Sequence, residues 1–185
     1  MKIGLTGTFA SGKSLICQIL QLKHGFVYYS LSEEVRDECE RRGLPPERKN
    51  LYNIANELRE EYGPQVLAER IVKRIKAEKP KNAVIDGVRS PEEVWELEKM
   101  KDFNLIAVDA PIELRYERSL KRGRAREERQ SFEEFKEAER REWEGGNQNI
   151  KGAMSLAKIK IVNDSTKEEL ERRLEEVLKS LNFKG

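Results

Sequence analysis

Residues 7–14 read Gly7-Thr8-Phe9-Ala10-Ser11-Gly12-Lys13-Ser14, a complete G-x-x-x-x-G-K-[ST] phosphate loop. Its flanks supply the context that the motif needs. Ile3-Gly4-Leu5-Thr6 reads as a short buried strand, and Leu15-Ile16-Cys17-Gln18-Ile19-Leu20 as the helix that the loop opens. Glycines let backbone N–H groups close around phosphate oxygens, and the helix N-terminus brings its positive dipole end to the same place. Gly7, Thr8, Ala10, Ser11, Gly12, Lys13 and Ser14 would then hold the phosphates of a nucleoside triphosphate. Lys13 would reach the β and γ groups, and the Ser14 hydroxyl would ligate Mg²⁺.

Composition bounds the rest. At 185 residues the chain suits a single domain spanning 1–185, long enough for a real core and one mobile insertion. Charged residues make up 38% of it, against roughly 25% for an average protein. The two signs nearly cancel, however, at a net charge of +2. That balance argues against nucleic acid as a partner, because a dedicated binder carries a basic excess or stripe. Abundant Lys, Arg and Glu, few Gln and only two Cys suit a protein from a hot environment. Cys17 and Cys39 stand apart, with no C-x-x-C spacing, so neither a zinc site nor a disulfide framework is indicated. No stretch is apolar enough to span a membrane, and the phosphate loop stands where a signal peptide would have to be, so a cytoplasmic location is expected.

Along the chain, strands alternate with helices. After a turn at His24-Gly25, Phe26-Val27-Tyr28-Tyr29 reads as a second strand, and His24, the only histidine, as a helix-end residue. Ser30 and Ser32 offer N-caps for a helix to about Arg42, which Gly43-Leu44-Pro45-Pro46 stops. A long helical stretch, 49–76, bends near Gly63-Pro64, with Leu51, Ile54, Leu58, Val66, Leu67, Ile71 and Ile75 at helical spacing. Ala83-Val84-Ile85-Asp86 is a β-branched strand ending in an acid, where P-loop proteins carry a metal-associated carboxylate. A helix over 91–100, a strand at Leu105-Ile106-Ala107-Val108 and a helix over 111–122 follow. Residues 123–149 are dominated by charge and read either as a solvated helical excursion or as a catalytic lid. Ile159-Lys160-Ile161-Val162 is a fifth strand, and 166–181 an amphipathic helix. These lengths imply an α/β fold, a five-stranded parallel sheet flanked by helices on both faces.

A phosphate loop leaves three uses open: a hydrolytic switch or motor, a kinase, or a nucleotide-binding module without chemistry. A guanine-specific switch carries N-K-x-D to read its base, and the chain has none. Motors commonly place a second carboxylate directly after the strand acid, whereas Asp86 is followed by Gly87. A kinase acting on a phosphorylated acceptor needs several arginines to hold two polyanions in line. The chain supplies them. Arg36, Arg59 and Arg89 lie on segments that follow strands, while Arg115, Arg118, Arg122, Arg124 and Arg126 cluster in and after one helix. Arg118 and Arg122 stand four apart and share a helical face.

These segments resemble a known family. Ile85-Asp86-Gly87-Val88-Arg89 is similar to a shortened D-G-x-x-R segment of adenylate-kinase-type nucleoside monophosphate kinases. Residues 110–122 resemble the same enzymes' helix into the lid, with its R-x-x-x-R pair. A closer resemblance covers nearly the whole chain, to a group of small P-loop nucleotide-kinase-like proteins, dephospho-CoA kinase-like or adenylate-kinase-like. That group includes the domain attached to some deoxycytidylate deaminases. Arg42-Gly43-Leu44-Pro45, Ala55-Asn56-Glu57-Leu58-Arg59, Gly63-Pro64, Arg115-Tyr116-Glu117-Arg118, Ser131-Phe132-Glu133-Glu134-Phe135 and Val162-Asn163-Asp164 carry it. The deaminase zinc signature is absent.

The resemblance implies roles. Ser14 and, through water, Asp86 would hold Mg²⁺. Arg36, Arg59 and Arg89 would grip the acceptor phosphate in a helical segment over 31–76. Arg118 and Arg122 would close over the donor as catalytic residues with Lys13 and Arg89. Arg122, Arg124 and Arg126 would act from a lid over 123–149, and the loop at Asn163-Asp164 would meet the adenine. One departure tilts the choice between acceptors, with Glu33 and Glu34 the alternative bases for a hydroxyl. Dephospho-CoA kinases have an acid after the second strand that can serve as base for a sugar hydroxyl, but here the residues are Ser30-Leu31-Ser32. A nucleotide phosphate is already anionic and needs no base. The expectation is therefore ATP- and Mg²⁺-dependent transfer to a nucleoside or deoxynucleoside monophosphate, with small-molecule nucleotides, and neither nucleic acid nor a membrane, as partners. Dephospho-CoA is the alternative acceptor, and a non-catalytic regulatory module the alternative of another class.

Overall fold

The computed structural model describes residues 1–121, 131–144 and 148–183. Five strands form one parallel sheet: β1 (Lys2–Gly7), β2 (Val27–Ser30), β3 (Ala83–Val88), β4 (Phe103–Asp109) and β5 (Ile159–Val162), in the order β2-β3-β1-β4-β5. The helices among the described residues are α1 (Lys13–His24), α2 (Leu31–Arg41), α3 (Arg48–Tyr62), α4 (Val66–Glu78), α5 (Pro91–Glu98), α6 (Ile112–Lys121), α7 (Phe132–Glu144), α8 (Ile150–Leu156) and α9 (Lys167–Ser180). None of them is long and apolar enough to cross a membrane.

The strands read as near-continuous apolar runs because both faces of the sheet are covered. Alternate side chains serve opposite faces. Ile3, Leu5, Val84, Ile106 and Val108 point to the side where α1 contributes Ile16 and Leu20 and α9 contributes Leu170, Leu174 and Leu178. Ile85, Leu105 and Ala107 point to the other, which takes in Leu31, Leu58, Leu67, Ile71 and Leu97. The helical spacing read over 49–76 is thus a core stripe, and Gly63 breaks it into α3 and α4. Cys17 fills space in the α1 face, and burial pushes its thiol pKa up. His24 ends α1 and bonds Glu175 at 2.7 Å.

Two local expectations change. Ser30 precedes α2, but its side chain makes no capping bond to the helix. Caps that do form include Ser90, which accepts the Glu93 N–H at 3.3 Å, Ser131, which accepts the Glu134 N–H at 3.2 Å, Asn149, which accepts the Gly152 N–H at 2.7 Å, and Thr166, which accepts the Glu169 N–H at 3.2 Å. The charged stretch after α6 contains α7, and α8, which follows that stretch, is a helix beyond those expected. The remainder of the expected lid, with Arg122, Arg124 and Arg126, lies outside the described residues.

The topology positions the site. From β1 the chain crosses to the sheet edge at β2 and returns to β3. It then crosses over β1 to β4, so the direction of winding reverses about β1. Ligands of open α/β sheets bind outside the carboxyl ends of strands at such a reversal, and the phosphate loop leaves β1 there. The turn needs Gly7, whose φ is +140° and whose place for a Cβ lies 1.9 Å from the Val108 carbonyl oxygen. Gly7→Ala is expected to lower stability by about 3 kcal/mol through strain and overpacking. The 86% exposed Leu22, changed to Ala, should stay within about 0.5 kcal/mol of the parent. Urea unfolding of both variants checks the contrast.

Candidate active site

The loop between β1 and α1 is held from below by side chains of its neighbours. Thr8 is 3% exposed and donates its hydroxyl to Asp109 Oδ1 at 2.7 Å, an oxygen that also accepts the Ala110 N–H at 2.8 Å. Asn163 follows β5, gives its N–H to the Asp109 carbonyl at 2.7 Å and donates Nδ2 to the Ser11 carbonyl at 2.8 Å. Its Oδ1 accepts from Arg118 Nη2 at 3.4 Å. Asp109 and Asn163 thus fasten the loop to the ends of β4 and β5. Asp109 was not singled out in the sequence, although an acid closing an apolar strand was the signal used for Asp86.

The loop and the start of α1 also carry donors that suit an anion. No side chain caps the N-terminus of α1, where backbone N–H groups lack helical partners. The Ser11 hydroxyl is buried with no hydrogen-bond partner among the described residues. Lys13 Nζ folds over the loop to the carbonyls of Gly7 at 2.8 Å and Thr8 at 2.7 Å. A buried orphan hydroxyl, an uncapped helix start and a lysine on one loop fit a bound polyphosphate.

Asp86 lies one strand away. In register it faces Leu5 of β1 and Ser30 of β2, and the register then slips so that Thr6 faces Val88. Gly87, at φ +86°, is the residue skipped, a β-bulge that bends β3 next to the loop. Asp86 Oδ1 accepts the Gly87 N–H at 2.8 Å, and the Ser14 side chain is exposed in the first turn of α1. These are hard oxygen donors. Among the described residues no three His, Cys, Asp or Glu side chains gather to cage a metal. A site with few protein oxygens fits Mg²⁺, which keeps waters and substrate phosphates as its other ligands. Tyr28 faces this region: burial pushes its pKa up to about 12, Ser30 opposing by a hydrogen bond and Asp86 adding.

Beyond β3, Glu93 organises the arginines expected on the acceptor side. It is 1% exposed in α5, with Oε2 accepting the Arg89 N–H at 2.7 Å and Oε1 accepting Arg59 Nη2 at 3.3 Å. Burial pushes its pKa up, against the pull of Arg59 and the Arg89 N–H. Arg59 is itself buried on this carboxylate and gives Nη1 to the Ala55 carbonyl at 3.4 Å. Arg89 is half-buried and extends Nη1 to Gln148 Oε1 at 3.3 Å. Arg36 is exposed on α2. Glu93, an acid that the sequence expectations leave out, therefore joins the Arg59 guanidinium to the Arg89 backbone. The signal was present, because Ser90-Pro91-Glu92-Glu93 has the S-x-x-E form of a capping box. Here, however, the glutamate reaches one residue further back than the cap.

Asn163 and Asp164 follow β5. Asn163 is 7% exposed and bonded to the loop, while Asp164 is exposed and accepts from Arg173 Nη1 at 2.8 Å.

Comparison with known proteins agrees with this architecture. A family model described as AAA domain matches residues 3–142. A UPF0200 protein of Pyrococcus abyssi is 33% identical over 188 residues, covering 99% of this chain and 98% of its own. The chain belongs to the UPF0200 family. With its AAA domain, this UPF0200 chain falls in the small P-loop kinase-like group that its motifs resemble. Shikimate kinase from Aquifex aeolicus superposes with a TM-score of 0.59 at 23% identity, covering 100% of both chains. Shikimate kinase from Bacteroides thetaiotaomicron gives 0.65 at 14%, covering 99% of each. At these identities the likeness is one of fold, that of P-loop kinases.

Glu93→Ala would leave the Arg59 guanidinium buried without its carboxylate, and is expected to cost about 3–5 kcal/mol. Arg36→Ala, at an exposed position, should stay within about 0.5 kcal/mol of the parent. Denaturant midpoints measured side by side check both.

Proposed function

We propose that the chain transfers the γ-phosphoryl group of ATP to a nucleoside or deoxynucleoside monophosphate. One observation carries the reading: β3 lies beside β1, so Arg89 and the Arg59–Glu93 pair stand one strand away from the phosphate loop. A donor cradle and an arginine-rich acceptor side then share one edge of the sheet. This is the arrangement that two polyanions in line require.

In the reaction an oxygen of the acceptor phosphate attacks the γ-phosphorus, the bond to the β–γ bridging oxygen breaks, and ADP leaves. Lys13 would move from the loop carbonyls to the β and γ oxygens. Arg118, and Arg122 beyond it, would neutralise charge in flight. Arg89, with Arg36 from α2, would hold the acceptor phosphate, and Arg59 would join them on release from its pair with Glu93. The segment 31–76 would serve the acceptor. Arg124 and Arg126, in the lid 123–149, would exclude water on closure. Mg²⁺, held by Ser14 and through water by Asp86, would supply charge neutralisation at the β and γ phosphates. Asp164 and the backbone at Asn163 would meet the adenine. Ser30-Leu31-Ser32 supports a phosphate acceptor over dephospho-CoA, since no acid stands there to deprotonate a sugar hydroxyl. Gly87 after Asp86 supports transfer over hydrolysis.

A coupled assay of ADP release, with nucleoside monophosphates, dephospho-CoA and shikimate as a panel, tests the reading. Turnover with a monophosphate is expected, and chelation by EDTA should stop it until Mg²⁺ is restored. Lys13→Ala should lower kcat by at least about 10²-fold with the fold intact. Arg89→Ala should raise KM for the acceptor more than for ATP. ADP release with dephospho-CoA alone, or with no acceptor in the panel, overturns the assignment.

A further inference from the structure

Ala10 is in the left-handed region at φ +60°, a conformation that costs a non-glycine residue about 1 kcal/mol and persists only where the surroundings hold it. Two side chains bracket it. The carbonyl after it, of Ser11, is taken by Asn163 Nδ2 at 2.8 Å. The carbonyl before it, of Phe9, is met by Arg115 Nη1 at 3.5 Å. Because a trans peptide points its C=O and N–H in opposite directions, a guanidinium holding the Phe9 carbonyl aims the Ala10 N–H away from itself.

Arg115 is not a surface charge. Its side chain is 6% exposed, and Nε donates to the Ala110 carbonyl at 2.7 Å. Nη1 and Nη2 form a fork on the two oxygens of Glu139 in α7, the Nη2 bond being 3.1 Å. Asp109 Oδ1, the acceptor of the Thr8 hydroxyl, lies 4.0 Å from Nε. The Phe9 ring is held from the same direction. It packs on Phe135 of α7 at 6.1 Å between centroids, and Phe135 in turn meets Tyr116 of α6 at 5.6 Å. Both the carbonyl and the ring of one loop residue are therefore governed by α6 and α7.

We propose that Arg115 is a positioning residue which, through its fork on Glu139, ties the phosphate loop to α7 and sets the peptide that Ala10 presents to a triphosphate. The proposal rests on reading residues 7–14 as a triphosphate cradle, and not on the identity of the acceptor. A lysine cannot replace the guanidinium, because one ammonium cannot serve Ala110, Phe9 and both oxygens of Glu139 in the plane that they occupy.

Calorimetric titration of inorganic tripolyphosphate and of ATP into the folded protein, well below its melting temperature, tests this without any turnover. Arg115→Lys and Glu139→Gln are each expected to weaken both ligands by about tenfold. The double variant should be no weaker than the worse single one, because both changes break one fork. Phe135→Leu, which keeps the fork and loses the ring contact with Phe9, should weaken them by about threefold. Affinities within twofold of wild type in Arg115→Lys and Glu139→Gln overturn the proposal, as do losses that multiply in the double variant. A lowered melting temperature with unchanged affinity assigns the pair a structural role only and overturns it too. Wild-type protein that binds neither ligand refutes the cradle and the proposal together. Wild-type protein that binds both but phosphorylates no monophosphate refutes only the acceptor assignment.

Discussion

The Val108 carbonyl oxygen occupies the space where residue 7 would carry a Cβ. That approach lets the central strand run into the loop while still paired with β4, so the loop starts at the level of the sheet's carboxyl edge rather than beyond it. Everything at the edge is measured from there. Asp109 ends β4 close enough to hold Thr8, Asn163 ends β5 close enough to hold Ser11, and the bulge at Gly87 bends β3 beside them. A side chain at residue 7 would push β4 away and release the loop's moorings together.

The electrostatics follow a second constraint. The proposed site for two polyanions calls for several guanidinium groups close together, and in the free protein such groups repel one another. The structure answers with carboxylates placed behind the cations. Glu93 gathers Arg59 and the Arg89 backbone on one side of the loop; Glu139, with Asp109 nearby, gathers Arg115 on the other. Burying such pairs contributes little net stability, because desolvation offsets most of the attraction. Removing one partner is costly, however, which keeps each arginine in a single orientation. The Arg172–Glu169 pair, by contrast, lies in solvent within the single helix α9 and contributes little.

The strands and most helices were legible because their signals are local. Apolar runs of strand length and the break at Gly63 each depend on a few adjacent residues. The second helix after α6 was not, since α8 carries only Ile150 and Ala153 into the core and its polar neighbours hide the period. Of the site, the phosphate loop and Asp86 were visible as motifs. Arg59 and Arg89 were visible as types, while the role of Glu93 was not, because a capping-box glutamate and an arginine organiser have the same spelling.

The order of residues by itself determined the phosphate loop, the alternation of strand and helix and the absence of an acid after the second strand, because each is a property of neighbours along the chain. Tertiary structure alone decided which carboxylate stands behind which arginine. Asp109 and Thr8 are 101 residues apart in sequence, and Asn163 and Ser11 are 152 apart, yet each pair lies within 2.8 Å. Strand order brings them together. It is set by packing both faces of the sheet, and no spacing along the chain encodes it.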